Sequence, residues 1–183
     1  KKMGDLIFIT GGVRSGKSTF AEKLATEEDI PTVYLATLEP LDLEMQERIH
    51  QHQKRRPSHW QTIETKFDLA VAYQSIETDH CILLDCLSMW VANQLMDYEN
   101  NLTNNNIEKI YKFLFSELDI IYSHAQKRIS QTIIVSNEVG GGIVPESKLA
   151  RIYRDMLGTI NQSVASNAKD AWFLVAGRPI KLP

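Results

Sequence analysis

Close to its start the chain reads Gly11-Gly12-Val13-Arg14-Ser15-Gly16-Lys17-Ser18. This fits the pattern G-x-x-x-x-G-K-[ST], and no other feature narrows the fold as far. The run before it, Leu6-Ile7-Phe8-Ile9-Thr10, reads as a buried strand. The residues after it, Ser18 to Thr26, read as a helix with Phe20 and Leu24 four apart. Between a strand and a helix, the glycines let the backbone wrap a phosphate so that successive N–H groups point inward. The helix N-terminus adds partial positive charge. In this motif Lys17 reaches the β/γ-phosphates and the Ser18 hydroxyl ligates Mg²⁺. The loop therefore predicts nucleotide binding.

The rest of the chain repeats the alternation. Strands are expected at Thr32–Ala36, Trp60–Glu64, Cys81–Asp85, Thr132–Ser136 and Ala171–Val175, with a short one at Pro179–Leu182. Helices are expected at Phe67–Ile76, Leu87–Met96, around the stripe Ile107, Ile110, Leu114, Leu118, Ile121 and Ala125, and from Glu146 to Ala168. Asn100 to Asn106 reads as a loop. Strands alternating with helices imply a mostly parallel sheet with helices on both faces. With 183 residues and neither repeat nor linker, the chain reads as a single α/β domain, residues 1–183.

Asp85 ends the clearest central strand. A carboxylate there lies near the phosphate loop and can hold Mg²⁺ through water; it can equally cap the helix that follows. Asn137-Glu138 also follow a central strand, at the end where such sheets bind ligands. They suit a substrate or Mg²⁺ role, or a loop-forming one. The N-K-x-D segment by which regulatory GTPases read guanine is missing. A small-molecule kinase or transferase, or a motor-type ATPase, is left.

From Asp42, a plausible N-cap, to the residue before Pro57 the chain reads as a charged helix. Glu44, Arg48 and His52 are spaced by four and share a face. Next to Arg48 and just before Lys54-Arg55-Arg56, His52 is expected to stay neutral, and a neutral imidazole can attack phosphorus. The clustered cations could neutralise a triphosphate. On spacing alone, a charged helix with one histidine reads first as a solvated face.

Composition excludes other classes. Lys plus Arg total 20 against 23 for Asp plus Glu, a net charge of −3, which suits a non-specific nucleic-acid binder poorly. No 18-residue stretch is free of charge, so no membrane span is expected, and the first residues show no signal-peptide pattern. Cys81 and Cys86 match no metal or redox spacing and read as buried thiols in a reducing cytoplasm.

Taken in order, several segments resemble one family. They are the phosphate loop, Asp42-x-Glu44-Met45-x-x-Arg48-Ile49-x-x-His52, Arg56-Pro57-x-x-Trp60-x-Thr62-x-Glu64, and Leu83-Leu84-Asp85-Cys86-Leu87. Then come Ser136 through Pro145, Arg154-Asp155-x-x-Gly158-x-x-Asn161-Gln162, and Ala176-Gly177-x-Pro179. Together they resemble the bifunctional adenosylcobinamide kinase / adenosylcobinamide-phosphate guanylyltransferases of cobalamin biosynthesis. The resemblance implies a RecA-like P-loop NTPase fold and two reactions. One moves the terminal phosphate of ATP or GTP to adenosylcobinamide. The other forms a guanylyl-histidine from GTP and passes GMP to adenosylcobinamide phosphate. It implies His52 as the guanylylated residue. It implies nucleotide contacts at Gly11, Gly12, Val13, Arg14, Ser15, Gly16, Lys17 and Ser18, at Ala36, Thr37 and Leu38, at Gln53, Lys54, Arg55 and Arg56, and at Glu64 and Asp85. It also implies a homotrimer. A P-loop kinase of another small metabolite, and an ATPase acting on nucleic acid or protein assemblies, are the competing readings.

Overall fold

A computed structural model describes residues 4–27, 29–38 and 56–183. Strand β1, Leu6–Gly11, enters the phosphate loop, and helix α1, Lys17–Glu27, leaves it. Strands β2, Thr32–Ala36, and β3, Gln61–Glu64, come next, followed by helix α2, Leu69–Gln74. Then come β4, Cys81–Asp85, α3, Leu87–Met96, and the long α4, Asn104–Ala125. The chain closes with β5, Thr132–Asn137, α5, Lys148–Asn167, β6, Asp170–Val175, and β7, Arg178–Lys181.

The seven strands make one sheet in the order β3-β2-β4-β5-β1-β6-β7. Every neighbouring pair is parallel except β6 with β7. Strands buried on both faces are apolar without a break, and β1, β4 and β5 are built so. Strand alternation divides their side chains between two cores. Leu6, Phe8, Leu35, Ile82, Leu84 and Ile134 pack with Trp90, Leu114, Leu118 and Ile160 under α2 to α5. On the other face Ile7, Ile9, Tyr34, Leu83 and Val135 meet Ala21 and Ala25 of α1. The small residues of α1 let it lie close to the strands, so the loop leading into it is held near the sheet.

The α/β pattern is therefore as expected, with local differences. The Asn-rich stretch is not a loop throughout. A 3₁₀ turn spans Glu99–Asn101, and α4 already begins at Asn104. Thr103 makes this possible by accepting a hydrogen bond from the Asn106 backbone N–H at 3.2 Å, a cap that offsets the weak helix propensity of three asparagines. Helix α2 is shorter than the apolar pattern suggests. Phe67 lies outside it, with its carbonyl accepting from Trp90 Nε1 at 2.8 Å. The charged helix expected from Asp42 falls on residues 39–55, outside the described residues.

Leu114 of α4 is fully buried in the larger core. Leu114→Ala should destabilise the fold by about 2–5 kcal/mol through lost apolar contact and a partly unfilled cavity. Urea unfolding of both proteins measures this, and a loss below about 1 kcal/mol would mean that the core re-closes around the gap.

Candidate active site

A parallel sheet brings its strand carboxyl ends to one edge, and of the sequence-predicted residues Gly11, Ala36, Glu64 and Asp85 lie there. Two levels can be read from the register. Glu64 on β3, Ala36 on β2, Asp85 on β4 and Val135 on β5 form one row. Asn137 on β5, Gly11 on β1 and Leu174 on β6 form a second row, two residues further along the strands. The phosphate loop thus starts above the level of Asp85, with the tip of β5 between them.

The loop is held from beneath. Gly16 adopts φ +98°, a region closed to residues with a Cβ. A Cβ there would also stand 3.1 Å from Gly177 Cα. The contact arises because the β6–β7 turn, with Ala176 and Gly177 both at positive φ, tucks under the loop, and Gly177 N–H donates to the Ser15 carbonyl at 2.9 Å. The Glu138 N–H donates to the Gly11 carbonyl at 2.9 Å, pinning the β5 tip to the loop's first residue. Asn161 of α5 steadies that tip. It accepts from Ser136 Oγ at 2.7 Å and donates to the Asn137 carbonyl at 3.0 Å.

Lys17 is buried, and its Nζ donates to the Gly12 carbonyl at 2.6 Å, which sets the ammonium inside the curve of the loop. Ser15 Oγ and Thr10 Oγ1 are buried without a hydrogen-bond partner among the described residues. Val13 and Arg14 are exposed at the loop's tip, and Gly12 has open space where a Cβ would project. Ser18 is half-buried at the start of α1. A cradle of backbone N–H groups with a lysine at its mouth suits a triphosphate.

Asp85 is half-buried and accepts from the Tyr34 hydroxyl at its Oδ2, 2.9 Å away. It does not cap α3. The N-cap position is Cys86, with no side-chain cap bond. Burial, then the Asp85 charge, push the Tyr34 phenol well above its usual range, so it stays a donor. Among the described residues no group of three or more His, Cys, Asp or Glu could hold a metal ion. Among the oxygens near the loop, the Ser18 hydroxyl and the Asp85 carboxylate hold the positions that this motif and its strand-end acid give to Mg²⁺. Mg²⁺ usually takes one or two protein oxygens and completes its shell with phosphate and water, so these residues fit it.

The β2 side is built differently. Thr37 is buried, and its hydroxyl both accepts from the Cys86 N–H at 3.1 Å and donates to the Cys86 carbonyl at 2.7 Å. It therefore braces the β2 tip to the β4 tip, and its hydroxyl is committed to that bond. Leu38 is half-buried beside it, and Glu64 is exposed at the end of the edge strand. Arg56 lies with its guanidinium carbon 3.2 Å from the centre of the Tyr34 ring. His52, Gln53, Lys54 and Arg55 lie outside the described residues. Sequence reasoning missed Tyr34, which reads as one more residue of an apolar strand. Its parity, two before Ala36 and on the Asp85 face, was the available signal.

Fold and site together define a P-loop NTPase of the RecA-like class. An ATPase of a bacterial type III secretion system superposes with a TM-score of 0.61 at 11% identity, over 94% of this chain and 51% of that one. The RadB recombinase superposes with a TM-score of 0.52 at 14% identity, over 94% of this chain and 74% of that one. At such identities the likeness is one of fold alone. The sequence is more specific: residues 7–182 match the family described as cobinamide kinase / cobinamide phosphate guanyltransferase, and the chain belongs to it. The bifunctional adenosylcobalamin biosynthesis protein CobU of Escherichia coli is 36% identical over 180 residues, 97% of this chain and 99% of that protein. CobP of Pseudomonas aeruginosa, described likewise, is 39% identical over 181 residues, 98% of this chain and 97% of that one.

Cys86 follows Asp85 at this site, where burial and the neighbouring charge disfavour its thiolate. They push the thiol up to about 11, and the thiolate is the reactive form. Ser88 Oγ donates to its sulfur at 3.0 Å. Modification of the folded protein by a thiol-specific disulfide reagent should be slow at pH 7.5 and quicken roughly tenfold per pH unit below about 11. Fast, pH-independent labelling of Cys86, located by peptide mapping, would contradict this.

Proposed function

We propose that this protein phosphorylates adenosylcobinamide and then attaches GMP to the product, with the phosphate loop serving the first transfer and His52 the second. The observation that carries the reading is the placement of the phosphate loop and Asp85 on one edge of the sheet, with Arg56 over the ring of the Tyr34 that binds Asp85, in a chain of the cobinamide kinase / cobinamide phosphate guanyltransferase family.

In the first reaction the acceptor hydroxyl oxygen attacks the γ-phosphorus of ATP or GTP. The new O–P bond forms as the bond to the β,γ-bridging oxygen breaks, and the hydroxyl proton is given up. The nucleoside diphosphate departs. Such transfers depend chiefly on positioning and charge neutralisation. The loop N–H groups hold the phosphates, and Lys17 balances charge on the transferred group. Ser18 and, through water, Asp85 would hold Mg²⁺, which would supply further charge neutralisation to the phosphates.

In the second reaction a neutral ring nitrogen of His52 attacks the α-phosphorus of GTP. A P–N bond forms, the α,β-bridging P–O bond breaks, and pyrophosphate leaves. A phosphate oxygen of adenosylcobinamide phosphate then attacks the same phosphorus. The P–N bond breaks with protonation of the ring, and adenosylcobinamide-GDP is released. Dividing one displacement into two is the purpose of a covalent nucleophile. Gln53, Lys54, Arg55 and Arg56 follow His52 directly and suit the triphosphate by charge, while Glu64, Ala36 and Leu38 complete the nucleotide's surroundings and Thr37 braces the strand tips behind them. We assign the protein to the cytoplasm, where both nucleotides are plentiful, and to a homotrimer, as the family resemblance implies. The chain as a whole, residues 1–183, acts as one domain in this scheme. Among the described residues no helix is long and apolar enough to cross a membrane.

Incubation with GTP labelled at the α-phosphorus tests the second reaction. The protein should take up covalent label that is lost in acid and kept in alkali, and His52→Ala should take up none. Equal labelling of that variant would exclude His52 as the nucleophile. Lys17→Ala tests the first. Phosphate transfer to adenosylcobinamide should fall by about 10²–10³-fold, the scale for losing one charge-stabilising contact to a transition state. Near-normal turnover would remove the loop from the chemistry.

A further inference from the structure

One side chain contacts both Asp85 and Arg56. Tyr34 is buried in the middle of β2, 4% exposed. Its neighbours in register are Thr62 on β3 and Leu83 on β4. It points to the face of the sheet covered by α1, together with Leu83 and Cys86. The hydroxyl donates to Asp85 Oδ2 at 2.9 Å. The ring lies under the Arg56 guanidinium at 3.2 Å. Arg56 Nε is buried with no hydrogen-bond partner among the described residues, so the flat ring, and not an acceptor, is what seats this end of the head group.

We infer that Tyr34 is a positioning residue. Its hydroxyl orients the Asp85 carboxylate toward the phosphate loop, and its ring fixes Arg56, so that one rigid side chain sets the spacing between the group that serves Mg²⁺ and a cation four residues after His52. The inference rests on the two-reaction reading above and adds a specific device to it. Two properties of tyrosine suit the task. A phenol has few rotatable bonds and is locked by packing, so it transmits position without slack. A ring face attracts a cation while its polar tip makes a directional hydrogen bond at the far end. Groups that orient a metal-serving carboxylate typically alter metal affinity by about 10–100-fold when removed.

Two substitutions separate the two contacts. Tyr34→Phe keeps the ring and removes the hydroxyl. Tyr34→Leu removes both. The first readout is equilibrium binding of a fluorescent GTP analogue, titrated with and without Mg²⁺, which needs no turnover. For Tyr34→Phe we expect Mg²⁺-free affinity within about twofold of wild type, and about tenfold more Mg²⁺ needed for half-maximal strengthening of binding. Phosphate transfer should show the same displaced Mg²⁺ midpoint, with the rate largely restored at saturating Mg²⁺. Label uptake at His52 under saturating Mg²⁺ should stay near wild type in Tyr34→Phe and fall at least about tenfold in Tyr34→Leu, which loses the seat of Arg56.

A Tyr34→Phe protein with an unchanged Mg²⁺ midpoint in both assays would overturn the inference. So would an equal loss of affinity with and without Mg²⁺, the mark of a merely structural role. Should Tyr34→Leu fail to fold by thermal melting, Tyr34→Phe still decides the hydroxyl's part, and Tyr34→Met, which keeps an apolar side chain of similar reach without a ring, reads the ring's. Wild-type protein that takes up no label and phosphorylates no adenosylcobinamide would instead sink the two-reaction reading, whatever the Tyr34 variants bind.

Discussion

The whole site depends on a turn that only a particular backbone can make. At the end of β1 the chain must leave the sheet, curl around an anion and enter α1 within the few residues from Gly12 to Gly16. Gly16 at φ +98° makes that path possible. The small residues Ala21 and Ala25 then let α1 lie against the sheet. The turn is braced by two strands far away in sequence. The Gly177 N–H holds the Ser15 carbonyl, and the Glu138 N–H holds the Gly11 carbonyl. The Gly11 and Ser15 carbonyls are thereby turned toward the protein, while the Gly12 carbonyl accepts from Lys17 Nζ and from the Ser15 N–H inside the loop. An anion site made of backbone carries no titratable group of its own, so its charge preference does not change with pH.

Most of the sheet was legible because buried parallel strands are continuous apolar runs, and five of the strands match such runs closely. The phosphate loop was legible because its glycines and lysine are local requirements. What could not be read was non-local. The strand order follows from pairings across the chain. Tyr34 and Asp85 lie 51 residues apart in sequence, and so their hydrogen bond leaves no spacing to recognise. The start of α4 was missed for another reason. Asn104 to Asn106 have weak helix propensity, and Thr103 overrides it with one cap bond. The roles of Thr37 and Cys86 were hidden similarly. A threonine at a strand end reads as a possible ligand, but here its hydroxyl closes a two-way bond with a backbone unit on the next strand.

The two levels of strand ends also explain why one sheet edge can serve two chemistries. The upper level, at Asn137, Gly11 and Leu174, supports the loop that grips phosphates. The lower level, at Glu64, Ala36 and Asp85, spans three adjacent strands, or about 10 Å between its outer members at ordinary strand spacing. A bound triphosphate is of comparable length. A nucleotide lying along this edge would present different phosphorus atoms to groups standing at its two ends.

Attack at the γ-phosphorus and attack at the α-phosphorus differ in which bridging oxygen departs, but both demand that negative charge be balanced along the whole chain of phosphates. On the reading proposed above, Lys17 and Asp85 would serve one end of that chain and Arg56 the other. If these groups moved independently, tightening the grip for one displacement would leave the other unaffected. Tyr34 removes that independence, because its hydroxyl and ring belong to one inflexible body packed inside β2. A shift of the Asp85 carboxylate is therefore felt at the Arg56 guanidinium through a single covalent frame. On this view the strand is not only a scaffold for the two charged ends: it is the element that makes their separation a fixed quantity, which is what a site that must choose between two phosphorus atoms of one substrate requires.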